Sequence, residues 1–359
     1  MLILLGATGY TGRLIAAELH RAGIAFQPAG RSPRRLEQLA AELPGLAPPL
    51  LVDARDPATF AALKDARVLI NTVGPFTDLG GPVAAYAARR GLRYLDITNE
   101  LGFAHEVHTR FADLARLSGA TLAPACGFEV ALADCLAALL AERLGADELD
   151  EVTITYRLPG KGSSYGTRAS ALRSLATSWL EYRDGRLLAT RPCTRQARIT
   201  LGAKDYHALS FPSSEVVTLP THLNVRAVTT QMTITRVGSL YGSWFIPLMI
   251  PLLNGPVGWG LRIASRLAAR PPAPGRRELM DFTLAVEARA GARARRLTLS
   301  GFDPYGLTAK IVAHAAPALA DGAPPAGVIA PSLLIEPAAL LEALRGWGVA
   351  VAEDEMSVA

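Results

Sequence analysis

Cysteine is scarce in this chain: there are three in 359 residues, at Cys126, Cys135 and Cys193. An odd number at unrelated spacings does not fit a disulfide framework or a metal site, and it fits a reducing cytoplasm. The six histidines, His20, His105, His108, His207, His222 and His314, form no metal-spacing cluster. His105 and His108 are three apart on one expected helix, but the pattern supplies no third ligand. The formal charge of +5 comes from arginines scattered along the chain rather than from one dense basic block. No aromatic–basic interleaving accompanies them, so a nucleic-acid partner is not expected. The apolar N-terminus has neither the positive n-region nor the small-residue cleavage site of a signal peptide.

A clean apolar run of twenty residues is also missing. The nearest approach is Leu240 to Ala268, which contains Trp244 to Leu253 and carries no charge until Arg262. Prolines and glycines interrupt it, which disfavours a spanning helix. It reads as a buried or dimer-forming helix pair. A greasy substrate channel or a peripheral membrane contact is the functional alternative. Half of all residues are hydrophobic, so extended disorder is not expected. A chain of 359 residues is long for one core, and two domains are the natural expectation.

What is present is concentrated in the first twelve residues. Met1 to Leu5 is an apolar run, Gly6-Ala7-Thr8-Gly9-Tyr10-Thr11-Gly12 follows, and Leu14, Ile15 and Leu19 then recur at helical spacing. Strand, glycine turn and helix in that order form a dinucleotide fingerprint, for a nicotinamide or a flavin cofactor. Gly6 permits the tight turn, Gly9 lets the backbone approach a pyrophosphate, and Gly12 lets the helix pack close to the strand. The helix N-terminus offers free N–H groups to the phosphates.

The next absence decides between cofactors. An NAD site wants an acidic residue at the end of the second strand, expected over Ala25 to Ala29. Gly30-Arg31-Ser32 stands there instead, with Arg34 and Arg35 close behind. A guanidinium can stack on adenine and pair with a 2′-phosphate, which favours NADP. Arg34 and Arg35 could equally cap the next helix on a wet surface.

The alternation continues through a third strand at Pro49 to Val52, followed by Asp53. Asp53 is placed to border an adenine pocket, although either Asp53 or Asp56 could cap the short helix that follows. A fourth strand leads into Asn71-Thr72-Val73-Gly74-Pro75-Phe76. Ligands of open parallel sheets bind at the carboxyl ends of strands, which puts Asn71, Val73, Gly74 and Pro75 near the cofactor. A helix is expected over Pro82 to Arg90, a strand ending in Asp96 to Glu100, and a helix from Phe103 to Ser118. A sixth strand, Thr121 to Pro124, opens into Ala125-Cys126-Gly127-Phe128-Glu129, and Asp134 is expected to begin an apolar helix to Leu144. Cys126 and Gly127 thus join the expected cofactor edge. Cys126 could be a reactive thiol, but no activating histidine is placed beside it, and a packing role fits better.

After Gly145 the rhythm changes to the one-in, one-out alternation of Glu151 to Arg157, a sheet with one wet face. Gly160 to Gly166 is a glycine- and serine-rich loop before a helix expected over Thr167 to Trp179. Gly185 turns a hairpin. Further strands are expected over Gln196 to Thr200, Val225 to Thr235, Asp281 to Arg289 and Ala292 to Ser300. The fold class is therefore α/β: a Rossmann-like doubly wound parallel sheet, with a second α+β domain on a mixed or antiparallel sheet. The expected division is 1–145, 146–302 and 303–359, the last helical and returning to the Rossmann domain.

These segments resemble the saccharopine dehydrogenase-like NADP-binding family, in its trans-acting enoyl reductase branch. The resemblance rests on Gly6 to Gly12, Ala29-Gly30-Arg31, Asn71 to Phe76, Gly80-Gly81-Pro82-Val83, Tyr94-Leu95-Asp96-Ile97 with Glu100, and Cys126-Gly127-Phe128. It continues weakly in Gly162 to Thr167 and Gly327 to Pro331. That branch often has Gly-Glu where this chain has Asn99-Glu100, and Asp where it has Glu129. The resemblance implies an N-terminal Rossmann domain, an inserted substrate domain and a late helix returning to the first. It supplies no catalytic acid.

Hydride transfer often needs a proton donor beside the nicotinamide. The candidates are Tyr165, Lys161 and Glu100, with Tyr305 behind them. The Tyr-x-x-x-Lys pattern is absent: the fourth residue after Tyr165 is Ala169. The expected function is an NADP-dependent oxidoreductase acting on a carbonyl, imine or activated alkene, with a hydrophobic or lipid-like substrate and a homodimeric assembly. The competing reading is a non-catalytic NADP-binding sensor that keeps the fold.

Overall fold

The computed structural model describes residues 1–158, 179–190, 193, 195–235, 255, 260, 275 and 277–357. The chain forms two compact units, each discontinuous in sequence. The first comprises Met1–Asn99, Phe103–Ala131 and Pro304–Glu336. The second comprises Glu100–Gly102, Leu132–Asp303 and Pro337–Ala359. The C-terminal segment expected as one return, 303–359, therefore divides after Glu336.

In the first unit the strands are β1 (Leu2–Leu5), β2 (Gln27–Gly30), β3 (Leu50–Leu51), β4 (Val68–Asn71), β5 (Arg93–Asp96) and β6 (Thr121–Ala123). All pair in parallel, in the order β6-β5-β4-β1-β2-β3. All four residues of β1, β2 and β4 are buried, as a sheet covered on both faces requires. Ile3, Leu5, Leu69, Tyr94 and Leu122 share one core cluster with Val83, Phe103 and Val107.

Helix α1 (Tyr10–Arg21) buries Gly12, Ile15, Ala16 and Leu19, one stripe at helical spacing. Helix α2 covers Pro33–Glu42. Helix α3 runs from Phe76 to Arg89 and carries Pro82 inside it, so it starts six residues before the expected Pro82. Gly80-Gly81-Pro82 reads locally as a breaker. In the structure a Cβ at Gly80 would lie 2.5 Å from the Phe103 ring, so this glycine provides room rather than a turn. The helix expected over Phe103 to Ser118 is two: α4 (Leu101–Arg110) and α5 (Ala112–Ser118). They break at Phe111, which is buried and has φ −113° and ψ −7°. Gly119, at φ 76°, ends α5 in the left-handed region. Helix α6 starts at Phe128, not Asp134, and runs to Leu144.

The second unit is built on β7 (Glu151–Arg157), β8 (Trp179–Arg183), β9 (Arg186–Thr190), β10 (Gln196–Leu201), β11 (Lys204–Ser210), β12 (Ala227–Ile234), β13 (Asp281–Ala290) and β14 (Arg293–Phe302). Trp179 thus begins a strand rather than ending a helix. Gly185, at φ 72°, turns the β8–β9 hairpin. After β14 comes the helix Pro304–Ala320, then β15 (Gly327–Val328), which pairs in parallel with β6 in the first sheet. The helix Pro337–Gly346 and β16 (Ala350–Ser357) belong to the second unit. The second sheet runs β10-β11-β12-β7-β13-β14-β16, with β8 on β12 and β9 on β8. It is mixed, because β12 and β7 are parallel and the other pairs antiparallel.

Register puts Val152, Ile154 and Tyr156 on one face with Leu284, Val286, Leu297 and Leu299. The opposite face was expected to be wet, yet Thr155, Gln231 and Thr283 are buried there. Gln231 Nε2 donates to Thr155 Oγ1 at 2.8 Å, and Arg157 Nε to Thr283 Oγ1 at 3.2 Å, so these groups keep hydrogen bonds away from water. Among the described residues, no helix is long and apolar enough to cross a membrane. The stretch Trp244 to Leu253 lies outside them.

Candidate functional site

The carboxyl edge of the first sheet begins with the glycine turn. Gly6 N and Ala7 N both donate to Ala29 O, at 2.9 and 3.2 Å, tying the turn to β2. Gly9 N donates to Gly6 O at 2.9 Å. Gly6 has φ 84°, and a Cβ there would meet Thr72 Oγ1 at 2.5 Å. A Cβ at Gly12 would lie 2.1 Å from Gly6 O, so the helix reaches the strand only because both residues are glycine. Gly9 caps α1 without a side-chain hydrogen bond. The first-turn N–H groups are thus not capped by that residue, which is the arrangement an anion uses. Thr8, Tyr10 and Thr11 line the same turn and are half-buried.

At the end of β2, Arg31, Arg34 and Arg35 are exposed, and Ser32 is half-buried at the start of α2. Among the described residues, ion pairs engage Arg13 with Glu42 and Arg21 with Glu18 nearby, but none engages Arg31, Arg34 or Arg35. Asp53 is half-buried. Its Oδ1 accepts from Arg55 N at 3.0 Å, and its backbone N donates to Thr59 Oγ1 at 3.1 Å. The helix cap is Asp56, whose Oδ1 accepts from Ala58 N at 3.1 Å. Asp53 therefore shapes the turn after β3 and leaves the capping to Asp56.

Beneath the ends of β4, β5 and β6 lies a buried polar network. Asn71 Oδ1 accepts from Val73 N at 3.0 Å, and Asn71 Nδ2 donates to Tyr94 Oη at 3.2 Å. Asp96 Oδ1 accepts from both Thr98 N and Ala125 N at 3.0 Å, while Asp96 O accepts from Cys126 N at 2.7 Å. Burial, then the neighbouring Asp96 carboxylate, pushes the Tyr94 phenol well above its ordinary range, so it stays an O–H. The network fixes three loops from below: Val73-Gly74-Pro75, Thr98, and the turn at Ala125, whose φ is 63°. The Gly74–Pro75 peptide is cis.

Several expected site residues are thereby oriented inward. Asn71 and Cys126 are fully buried, and the Cys126 thiol donates to Ala123 O at 3.5 Å. A Cβ at Gly127 would lie 3.1 Å from Ile97 O, so this glycine admits a close backbone crossing. Glu100 is 1% exposed and belongs to the second unit. Tyr165 and Lys161 lie outside the described residues. Tyr305 packs its ring edge-on against Tyr10, with centroids 5.1 Å apart and planes at 90°.

Sequence reasoning missed a second buried cluster, in the second unit. Tyr156, on β7, donates its hydroxyl to Glu215 Oε1. Glu215 and Asp134 are both fully buried. Asp134 Oδ2 accepts from Thr218 Oγ1 at 3.0 Å and lies 3.2 Å from His222 Nε2. Burial raises the Glu215 carboxyl above its ordinary value, Asp134 adds to that rise, and bonds from Ser213 and Tyr156 oppose it. The available signal was Asp134 in the middle of an otherwise apolar helix. Among the described residues, no group of three His, Cys, Asp or Glu side chains is arranged to hold a metal.

No family model matches the chain. A trans-acting enoyl reductase of Mycobacterium ulcerans is 34% identical over 197 residues, covering 51% of this chain and 47% of the relative. One of Mycobacterium bovis is 33% identical over 220 residues, covering 56% and 52%. The chain thus spans about half the length of these curated relatives. The apo structure of saccharopine dehydrogenase (L-Glu forming) from Saccharomyces cerevisiae superposes over 99% of both chains, with a TM-score of 0.63 at 13% identity. That likeness is one of fold. In sequence the chain is thus similar, over about half of each protein, to trans-acting enoyl reductases, and in fold it is similar to saccharopine dehydrogenase.

Proposed function

We propose that the chain is an NADP-dependent oxidoreductase acting on a carbonyl, imine or activated alkene, with hydrophobic acyl or enoyl compounds as its substrate class. The observation that carries the cofactor choice is the end of β2: exposed Arg31, Arg34 and Arg35, unengaged by ion pairs among the described residues, where an NAD site needs a carboxylate. The glycine turn fits a pyrophosphate because Gly6 makes the tight turn at φ 84°, Gly12 lets α1 pack against it, and Gly9 leaves the start of α1 without a side-chain cap.

On this reading Gly6, Thr8, Gly9, Tyr10, Thr11 and Gly12 receive the pyrophosphate, chiefly through backbone N–H groups. Arg31 and Ser32 hold the 2′-phosphate, and Asp53 borders the adenine. Val73, Gly74 and Pro75, with Cys126 and Gly127, offer backbone to the nicotinamide end. Bound nicotinamide supplies or accepts the hydride. Tyr165, Lys161 and Glu100 are the proposed proton donors. The substrate class rests on the names of the relatives and on the apolar composition of Trp244 to Leu253. The proposal includes a cytoplasmic homodimer.

Calorimetric titration with NADPH and NADH, on wild-type protein and Arg31→Ala, tests the cofactor choice. Tighter NADPH binding, lost in the variant, is expected. Equal affinity for the two cofactors overturns the 2′-phosphate argument. NADPH oxidation over a panel of enoyl, keto and imine compounds tests the activity. Clean binding without turnover of any of them moves the reading to a cofactor-binding sensor.

A further inference from the structure

We propose that Tyr305 is a positioning residue for the cofactor turn, and that the helix Pro304–Ala320 sets the geometry of two loops at the carboxyl edge. This rests on the dinucleotide reading given above. Tyr10 is the first residue of α1, so its backbone is part of the turn that would receive the pyrophosphate. Tyr305 comes from the first turn of a helix almost three hundred residues further along the chain, and the two rings meet edge to face at 5.1 Å. Both rings are half-buried. The two helices pack along each other within the same unit.

The same helix holds a second loop. Thr308 Oγ1 accepts from Phe128 N at 3.2 Å while donating to Pro304 O at 3.0 Å. Phe128 N belongs to the first turn of α6, directly after Cys126-Gly127. One turn of one helix therefore touches the start of α1 through Tyr305 and the start of α6 through Thr308. Gly9 brings no side chain to cap α1, so the direction of its first turn depends on what packs against it. The Tyr10–Tyr305 contact is such a packing element, and it needs the ring rather than the hydroxyl.

The test is NADPH affinity by calorimetry on the full chain, alongside thermal unfolding without cofactor. An edge-to-face aromatic contact is worth about 2- to 12-fold in an equilibrium constant. Tyr305→Leu, which keeps apolar volume but loses the ring, is expected to weaken NADPH binding by about that factor. Tyr305→Phe is expected to restore wild-type affinity. Tyr10→Leu should cost the same as Tyr305→Leu, and the double variant no more than either, because the two side chains act through one contact. Tyr86→Leu, which removes a ring packed on Phe60 at 5.5 Å, should lower the melting temperature without changing affinity. Wild-type affinity in Tyr305→Leu, additive losses in the double variant, or equal loss in Tyr86→Leu overturns the positioning role while leaving the cofactor reading intact. Failure of folded wild-type protein to bind either dinucleotide overturns the reading and the inference with it.

Discussion

Replacing Glu215 by glutamine should flatten a pH dependence that the second unit otherwise carries. Glu215 is fully buried on the short helix Glu215–Thr218. Tyr156 from β7 donates to it, Ser213 beside it does the same, and Asp134 from α6 faces it as a second carboxylate, itself bonded by Thr218 and His222. Burial and Asp134 raise its folded-state value above the ordinary 4.5. Below about 4.5 the carboxyl is protonated whether the chain is folded or not, and the contribution to stability is fully present. As pH rises, the unfolded chain releases the proton first, so stability falls until the folded-state value is passed. The slope in that window reaches about 1.4 kcal/mol per pH unit for one proton. In a unit of roughly 200 residues this is about 3–6 °C of melting temperature per pH unit. Glutamine keeps an oxygen for the Tyr156 hydroxyl and cannot ionise. The assay is thermal and urea unfolding of both proteins between about pH 4 and 8. The expected result is a wild-type-minus-variant difference that declines with rising pH, other titrating groups cancelling. A difference that is flat, or that rises with pH, refutes the claim that burial and Asp134 raise the Glu215 carboxyl in the folded chain.

Two further substitutions probe the first unit. Gly12→Ala puts a methyl 2.1 Å from Gly6 O, where only backbone can yield, and is expected to cost about 1–3 kcal/mol or more and to abolish dinucleotide binding. An unchanged urea midpoint would refute the close approach. Asp96→Ala strips the acceptor from two buried N–H groups, at Thr98 and Ala125, and should cost about 2–6 kcal/mol, with Asp96→Asn milder because it keeps one acceptor oxygen. Equal melting temperatures for the two variants would refute that assignment.

The first unit was largely legible because its signals are local. An apolar run into a glycine turn specifies strand, phosphate loop and helix within twenty residues, and the alternation that follows specifies a parallel sheet. The errors lie where a distant contact overrides a local signal. Gly80-Gly81-Pro82 looks like a helix boundary, but the Phe103 ring occupies the room that Gly80 leaves, so the helix runs through. Asp134 looks like a helix cap, but Thr218 and His222 reach it across the second unit, and α6 begins six residues earlier. The two-residue β15 adds a seventh strand to a sheet whose other members lie two hundred residues upstream. β11 passed unread because Lys204-Asp205-Tyr206-His207 has no apolar alternation; it is a strand because β10 and β12 flank it.

The same distinction separates the parts of the candidate site. Asn71, Tyr94, Asp96 and Cys126 carry the reactive-looking groups at the carboxyl edge, and all are buried; Asn71 bonds Val73 N and Tyr94, Asp96 bonds Ala125 N, and Cys126 bonds Ala123 O. A sequence reading expects a cofactor near this edge, because ligands of open parallel sheets bind at the carboxyl ends of strands. It cannot show that these four side chains turn inward, because that depends on partners from other strands. On the proposed reading the pyrophosphate and nicotinamide then meet mostly backbone, so side-chain selectivity among dinucleotides falls on the arginines after β2. Exchanging those arginines should alter the choice of cofactor without altering the fold, since they are exposed and outside the core cluster of the first unit. Exchanging Asp96 or Asn71 should lower stability first, because their side chains accept from the backbone of the loops at Val73, Thr98 and Ala125.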